Sequence, residues 1–413
     1  MKFEDYYIDD NIKKGLSQLG FKRPTDIQFK SIPNILNGED LLAVAQTGTG
    51  KTAAYVIPVI HKIFSKKKPQ RREDGIRCLI MVPTHELAIQ VLGVVEQIAQ
   101  FTTVTATAIY GGVDQKPQIK KLNDGVDILI ATPGRMFDLI SQGWLRTNRI
   151  NTLILDEADH MLDLGFVGDI MDLLGKIPDK RQTLFFSATI SPKIKKTAYS
   201  IIRQSAIRIQ ISPKDPVSKN VEHSVIFMDM DHKRFFLERV ISENPESKIL
   251  VFVRTQVRAE RVAKAMERVD IYGLTIHGGK DQAQRNMVMT AFREGSTKIL
   301  IATDVSARGI DIPDVQIVVN YDLPDKPENY VHRVGRTGRV KKRGHAYTFC
   351  SDGEKDLLAQ IHKFVGKEIV EIKLDHHAYE ETLNIEQERT YDVNALLEEA
   401  EEFENKKGRK KQK

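Results

Sequence analysis

The chain predicts two doubly wound parallel-sheet α/β domains in tandem, ending in a short, disordered charged tail. The first observation is a series of short apolar runs bounded by charged or turn residues: LLAVA (41–45), CLIMV (78–82), DILIA (127–131), TLILD (152–156) and TLFFS (183–187). A second series follows, ILVFV (249–253), KILIA (298–302), QIVVN (316–320) and AYTFC (346–350). These runs are too short for ordinary helices and do not alternate with polar residues, as strands buried on both faces read. The second observation is helical spacing between them, for instance over 86–99 and 257–269. Strand–helix alternation in two series means two open sheets covered by helices. Third, ISPKDPVSKN (211–220) interrupts both periodicities with two prolines. The boundaries expected are a domain over 1–210, a linker over 211–220, a domain over 221–375 and a flexible tail over 376–413.

Composition agrees. The 413 residues are 41% hydrophobic and 29% charged, enough to bury real cores. The longest uncharged stretch, Gln97 to Val113, is threonine-rich and contains Gly111 and Gly112, so no membrane span is expected. The start, MKFEDYYIDD, lacks the order of a secretion signal. The two cysteines, Cys78 and Cys350, form no CxxC pair, which argues against a zinc site or a disulfide framework. The expectation is a soluble, cytoplasmic protein. Its formal net charge of +6 sits wholly in the last eight residues, KKGRKKQK, which carry six basic side chains. That cluster either attracts phosphates or is a solvated tail, and overall basicity says nothing about the body of the chain.

Two elements carry chemistry. After LLAVA come Ala45, Gln46, Thr47, Gly48, Thr49, Gly50, Lys51 and Thr52, leading into a stretch of helical spacing. A glycine-rich turn between strand and helix points backbone N–H groups into one concavity at a positive helix end, which suits a polyphosphate. Lys51 would reach the outer phosphates and Thr52 would ligate Mg2+. Ala45 stands where the common pattern has glycine. Downstream, Asp156 and Glu157 follow a buried strand, at the sheet edge where open α/β folds bind ligands. There Asp156 could hold the magnesium and Glu157 polarise an attacking water, although acidic residues at strand ends also cap helices. The two elements together imply a nucleoside triphosphatase.

Asp156, Glu157, Ala158 and Asp159 spell DEAD, and over about residues 1–365 the chain resembles the DEAD-box RNA helicases of superfamily two, most of all a bacterial RhlE-like group. The resemblance implies that both domains are RecA-like. Gly20 and Phe21, then Pro24 to Gln28, resemble the Q motif, with an isolated upstream aromatic at Phe3. In that family Gln28 would read the adenine edge and Phe3 would stack on the ring, implying ATP; Phe21 belongs to the same cofactor set. An amide can pair with both the N6 donor and the N7 acceptor of adenine. Pro83 to Ala88 resembles motif Ia, Gly111-Gly112 the GG motif and Thr132 to Arg135 motif Ib, which imply that Thr84, Gly112, Thr132 and Arg135 grip an RNA backbone. Ser187-Ala188-Thr189 resembles motif III, which links the two sites.

The second half resembles the partner set. Phe252 to Thr255 sits at motif IV, His277 to Arg285 at motif IVa, Ala302 to Asp311 at motif V, and Tyr330 to Arg339 at motif VI. By resemblance Thr255, Arg285 and Thr303 touch RNA, Asp311 meets the ribose, His332 lies near the attacking water, and Arg336 and Arg339 approach the γ-phosphate. Guanidinium groups stay charged and offer fixed donors to a transferring phosphoryl group. His85, in place of arginine in motif Ia, implies a weaker or pH-sensitive RNA contact. Arg254, in place of asparagine in motif IV, implies an added basic contact or a loop-edge position. The function implied is an ATP-dependent RNA helicase that closes two domains on RNA and locally unwinds or remodels duplexes or RNA–protein complexes, in ribosome assembly or RNA decay. A non-unwinding RNA clamp fits the same motifs, and a DNA translocase fits them less well. A monomer is expected, with ribosomal or RNA-decay proteins as partners and no membrane association.

Overall fold

A computed structural model describes residues 2–46, 48–65, 75–211, 217–218, 220–304, 315–338 and 343–383. Thr47, Asp311, Arg339, much of the 211–220 linker and the tail from 384 onward, with KKGRKKQK, lie outside the described residues. The chain divides into two compact units whose boundary falls between Pro216 and Val217.

In the first unit, seven strands among the described residues form one parallel sheet: β1 (Leu41–Val44), β2 (Cys78–Met81), β3 (Ala106–Ile109), β4 (Ile128–Ala131), β5 (Thr152–Leu155), β6 (Gln182–Ser187) and β7 (Ile207–Gln210). Their order is β3-β4-β2-β5-β6-β1-β7. Successive residues feed opposite cores. Leu41, Ala43, Ile80, Ile130 and Ile154 pack on one face, and Leu42, Val44, Leu79, Leu129 and Leu153 on the other. Period two with both faces buried is why these strands read as unbroken apolar runs.

The second unit repeats the plan: β8 (Val221–Phe227), β9 (Ile249–Val253), β10 (Leu274–Ile276), β11 (Ile299–Thr303), β12 (Ile317–Asn320), β13 (Gly344–Cys350) and β14 (Val370–Glu371), in the order β10-β11-β9-β12-β13-β8-β14. The expected fold class is thus observed. Among the described residues no helix is long and apolar enough to cross a membrane. Residues 376–383, expected within the flexible tail, instead form a helix against the second unit. Tyr379 packs on Phe236 and its hydroxyl lies 2.8 Å from His232 Nδ1, while Arg239 donates to the buried Thr382 hydroxyl at 2.7 Å. One aromatic and one threonine a turn apart anchor a segment whose charged composition hides it.

Candidate functional site

The glycine-rich turn after β1 is shaped by left-handed backbone at Gly48 (φ 79°) and Gly50 (φ 90°). At Gly50 a side chain would also collide with the Gln28 amide. Thr49 closes the turn by donating to the Gln46 carbonyl at 2.7 Å. Ala45 needs no glycine: its φ is not positive, and its N–H donates to the Ser187 carbonyl at 3.0 Å, extending the pairing of β1 with β6. Lys51 opens the helix Lys51–Ser65, and its ammonium donates to the Ala45 carbonyl at 2.7 Å, which holds a positive charge inside the turn.

Asp156 leaves the end of β5, one strand away from β1 across β6. It is buried; Oδ1 accepts the Glu157 amide at 2.9 Å and Oδ2 accepts the Tyr55 hydroxyl at 2.7 Å. Burial raises its carboxyl above the ordinary range, against the opposing pull of Lys51. Glu157 adopts φ 47°, ψ 46°, left-handed backbone that costs a non-glycine residue about 1–3 kcal/mol. Its carboxylate sits 3.6 Å from His160 Nδ1. Asp159 turns away from this cluster and accepts the Ala188 amide (3.1 Å), the Thr189 amide (3.0 Å) and the Thr189 hydroxyl (3.0 Å), joining DEAD to the Ser187–Thr189 segment.

The adenine-side expectations change in detail. Gln28 is buried, donates to the Gly50 carbonyl at 3.1 Å and accepts the Thr25 amide at 3.0 Å, so it braces the turn. Each end of its amide keeps one further hydrogen-bonding valence. Phe3, expected to stack on the base, is only 2% exposed and lies against Tyr6 and Phe21 in the core. The ring that retains surface there is Phe21, which Phe3 backs at 6.2 Å.

The RNA-side candidates follow the other half of the same sheet edge. Thr84, Gly112 and Thr132 come after β2, β3 and β4, which neighbour one another. Thr84 caps the helix His85–Ala99 by accepting the Leu87 amide at 3.3 Å, and its proton can still be donated. Thr132 precedes the helix Pro133–Ser141, and Arg135 is held by the Val113 carbonyl at 2.7 Å. Gly112 uses φ 79° on an exposed turn. His85 does not form the surface contact expected of it: it is buried with its ring stacked on Tyr110, centroids 3.7 Å apart.

In the second unit Thr255 caps the helix Gln256–Glu267 after β9, Thr303 ends β11, and Arg285 lies on the helix Gln282–Glu294 beyond β10. These strands, too, are neighbours. His332 and Arg336 share the segment after the β12 end, where Arg336 Nε donates to the His332 carbonyl at 3.2 Å. Sequence reasoning missed what fixes this segment. Arg333 is buried, clamps Asp304 with two bonds (2.6 and 2.8 Å), and donates to the Asp322 carbonyl at 2.7 Å. Beside it Lys233, fully buried, donates to Glu354 at 2.5 Å and to the Tyr321 carbonyl at 2.8 Å. Arg254 joins the rim of this network, 3.4 Å from both Glu354 and Asp325. Its replacement of asparagine is thereby accounted for by acidic neighbours.

The donors collected beside the glycine-rich turn are hard oxygens, the Thr52 hydroxyl and the Asp156 carboxylate. The carboxylate accepts the Tyr55 hydroxyl at 2.7 Å. Among the described residues no three His, Cys, Asp or Glu side chains cluster as a metal site. A nucleotide-borne Mg2+ needs only one or two protein oxygens beside phosphates and water, so the residues fit it.

Comparison with known proteins agrees with this geometry. A family model described as DEAD/DEAH box helicase matches residues 25–197, and one described as Helicase conserved C-terminal domain matches 232–341. The ATP-dependent RNA helicase CshA of Listeria monocytogenes is 39% identical over 89% of this chain and 69% of that protein. The ATP-dependent RNA helicase RhlB of Shewanella sediminis is 37% identical over 91% of this chain and 87% of that protein. The solved structure of S. cerevisiae Dbp5 bound to RNA and ADP BeF3 superposes with a TM-score of 0.80 at 28% identity, covering 90% of this chain and 95% of that one. With a glycine-rich turn after β1, a DEAD tetrad at the end of β5 on the same sheet edge and two parallel sheets of the same plan, the chain belongs to the DEAD-box RNA helicase family.

Proposed function

We propose that the protein uses ATP hydrolysis to remodel RNA, binding nucleotide at the β1–β6–β5 half of the first sheet edge and RNA backbone at the β2–β4–β3 half. The observation that carries this is the sorting of the two residue sets onto adjacent halves of one strand edge. Gly48 to Lys51 cradle phosphates, Gln28 and Phe21 face the base, and Glu157 orients the attacking water. Thr52 and Asp156 would hold Mg2+, which supplies positive charge to the phosphates. Thr84, Gly112, Thr132 and Arg135, with Thr255, Arg285 and Thr303 of the second unit, contact sugar and phosphate. Such contacts position a strand without reading its sequence, and 2′-hydroxyl groups favour RNA over DNA. His332, Arg336 and Arg339, with Asp311 at the ribose, complete the nucleotide's surroundings; the support for these is the motif they share with the family. The cellular role we propose is ribosome assembly or RNA decay, as a cytoplasmic monomer, and sequencing RNA crosslinked to the protein in cells decides between the two.

The test is RNA-stimulated ATPase of Glu157→Gln. Loss of a positioned proton acceptor lowers turnover by about 10²–10⁴-fold, with nucleotide binding retained. Hydrolysis at the parent rate would overturn the assignment.

A further inference from the structure

Tyr55 stands one turn into the helix Lys51–Ser65, with no solvent exposure and its ring packed on Phe186 at 5.1 Å. Its hydroxyl lies 2.7 Å from Asp156 Oδ2. The direction of this bond follows from its chemistry. An ionised carboxylate, which a cation ligand must be, only accepts, so Tyr55 donates to Asp156.

We propose that Tyr55 is a positioning residue for the divalent cation that accompanies the nucleotide: it pins one oxygen of Asp156, so that this carboxylate meets the cation already oriented. Partners one bond behind metal ligands act in this way by removing reorganisation from the binding step. The inference rests on the reading of Asp156 as a cation ligand.

Tyr55→Phe removes the hydroxyl and keeps the ring against Phe186. The experiment measures binding of a fluorescent ATP analogue to the full chain, first in EDTA and then across a Mg2+ titration. Melting of the nucleotide-free protein is recorded alongside. The expected result is a Mg2+ half-saturation point raised roughly 10-fold, with affinity in EDTA unchanged. A lowered melting temperature with an unmoved Mg2+ midpoint would make the bond core structure only and overturn the proposal. So would an equal loss of affinity in both arms. Asp156→Asn separates this failure from that of the underlying reading. If its Mg2+ midpoint also stays put, the ligand assignment is wrong; if it moves while that of Tyr55→Phe does not, only the role of Tyr55 falls.

Discussion

Asp156 in the first unit and Glu354 in the second are carboxylates at equal depth, each 3% exposed, yet they shift in opposite directions. Burial dominates Asp156 and raises it; the neutral Tyr55 hydroxyl and the Lys51 ammonium, itself bonded to a carbonyl, do not offset that. Burial would raise Glu354 as well, but the Lys233 ammonium and the Ser351 amide and hydroxyl more than offset it, and its carboxyl titrates below the ordinary range. The lesson is one of vacancy in charge. The first unit leaves its strand-end carboxylate short of positive charge, a deficit that the proposed cation would remove. The second neutralises its own acids, Glu354 with Lys233 and Asp304 with Arg333, and so holds the segment bearing His332 and Arg336 in place.

The largest test of this contrast is Lys233→Met, which keeps the volume and leaves Glu354 buried beside no ammonium. Breaking a buried pair from one side costs about 3–5 kcal/mol. The sole tryptophan, Trp144, lies in the first unit and reports on it alone, whereas circular dichroism reports on both. In urea, the dichroism transition should gain an early phase while the Trp144 midpoint holds. The pH dependence has a definite sign. Because Glu354 titrates low in the folded chain, its stabilisation is full above the pKa of an unfolded glutamate, about 4.3, and is lost as pH falls through the folded value. In Lys233→Met the largest lowering influence on Glu354 is gone, so this slope should flatten. A shared midpoint loss in both signals, or an unchanged acid slope, would break the comparison.

What could be read from the sequence follows the same physical divide. The nine runs that announced strands belong to β1, β2, β4, β5, β6, β9, β11, β12 and β13, each with neighbours on both sides. The strands not anticipated, β3, β7, β10 and β14, lie at sheet edges, and β8 lies one in from an edge. There one face meets water: Ile207–Gln210 alternates in burial, and Val221–Phe227 carries Glu222 and His223. The turn at Gly48 and Gly50 was legible because only glycine takes its backbone freely. Tyr55 and Lys233 were not, since their acidic partners lie 101 and 121 residues away and no local pattern marks them. Phe3 misled for a related reason: a lone aromatic near a terminus reads the same over a ligand as in a core.

A middle-sized test belongs to the first unit. Asp159 accepts three bonds from Ala188 and Thr189. Asp159→Ala leaves two amides and a hydroxyl without that acceptor, at about 1–3 kcal/mol. The Trp144 transition should move, and the early dichroism phase expected of Lys233→Met should be absent. Movement of the second-unit signal instead would mean that Asp159 is not local to the first unit's stability.

The smallest effect is expected at the rim, in Arg254→Asn. The Arg254 side chain is 42% exposed, and its contacts to Glu354 and Asp325 are long, at 3.4 Å. Pairs of this kind contribute roughly 0.2–1 kcal/mol. Glu354 keeps Lys233, the Ser351 hydroxyl and the Leu323 amide when Arg254 is gone. The backbone bond from residue 254 to Asp322, 3.0 Å long, does not depend on the side chain. Urea midpoints should therefore shift by a small fraction of the Lys233→Met loss. The same variant separates a structural arginine from an RNA contact, because removing one phosphate contact flattens the logarithmic salt dependence of RNA binding by about one. A rim residue held by Glu354 and Asp325 leaves that slope unchanged. A flattened slope would place Arg254 on the RNA, and a stability loss equal to that of Lys233→Met would show that the charge of the second unit is balanced across its surface and not at its buried centre.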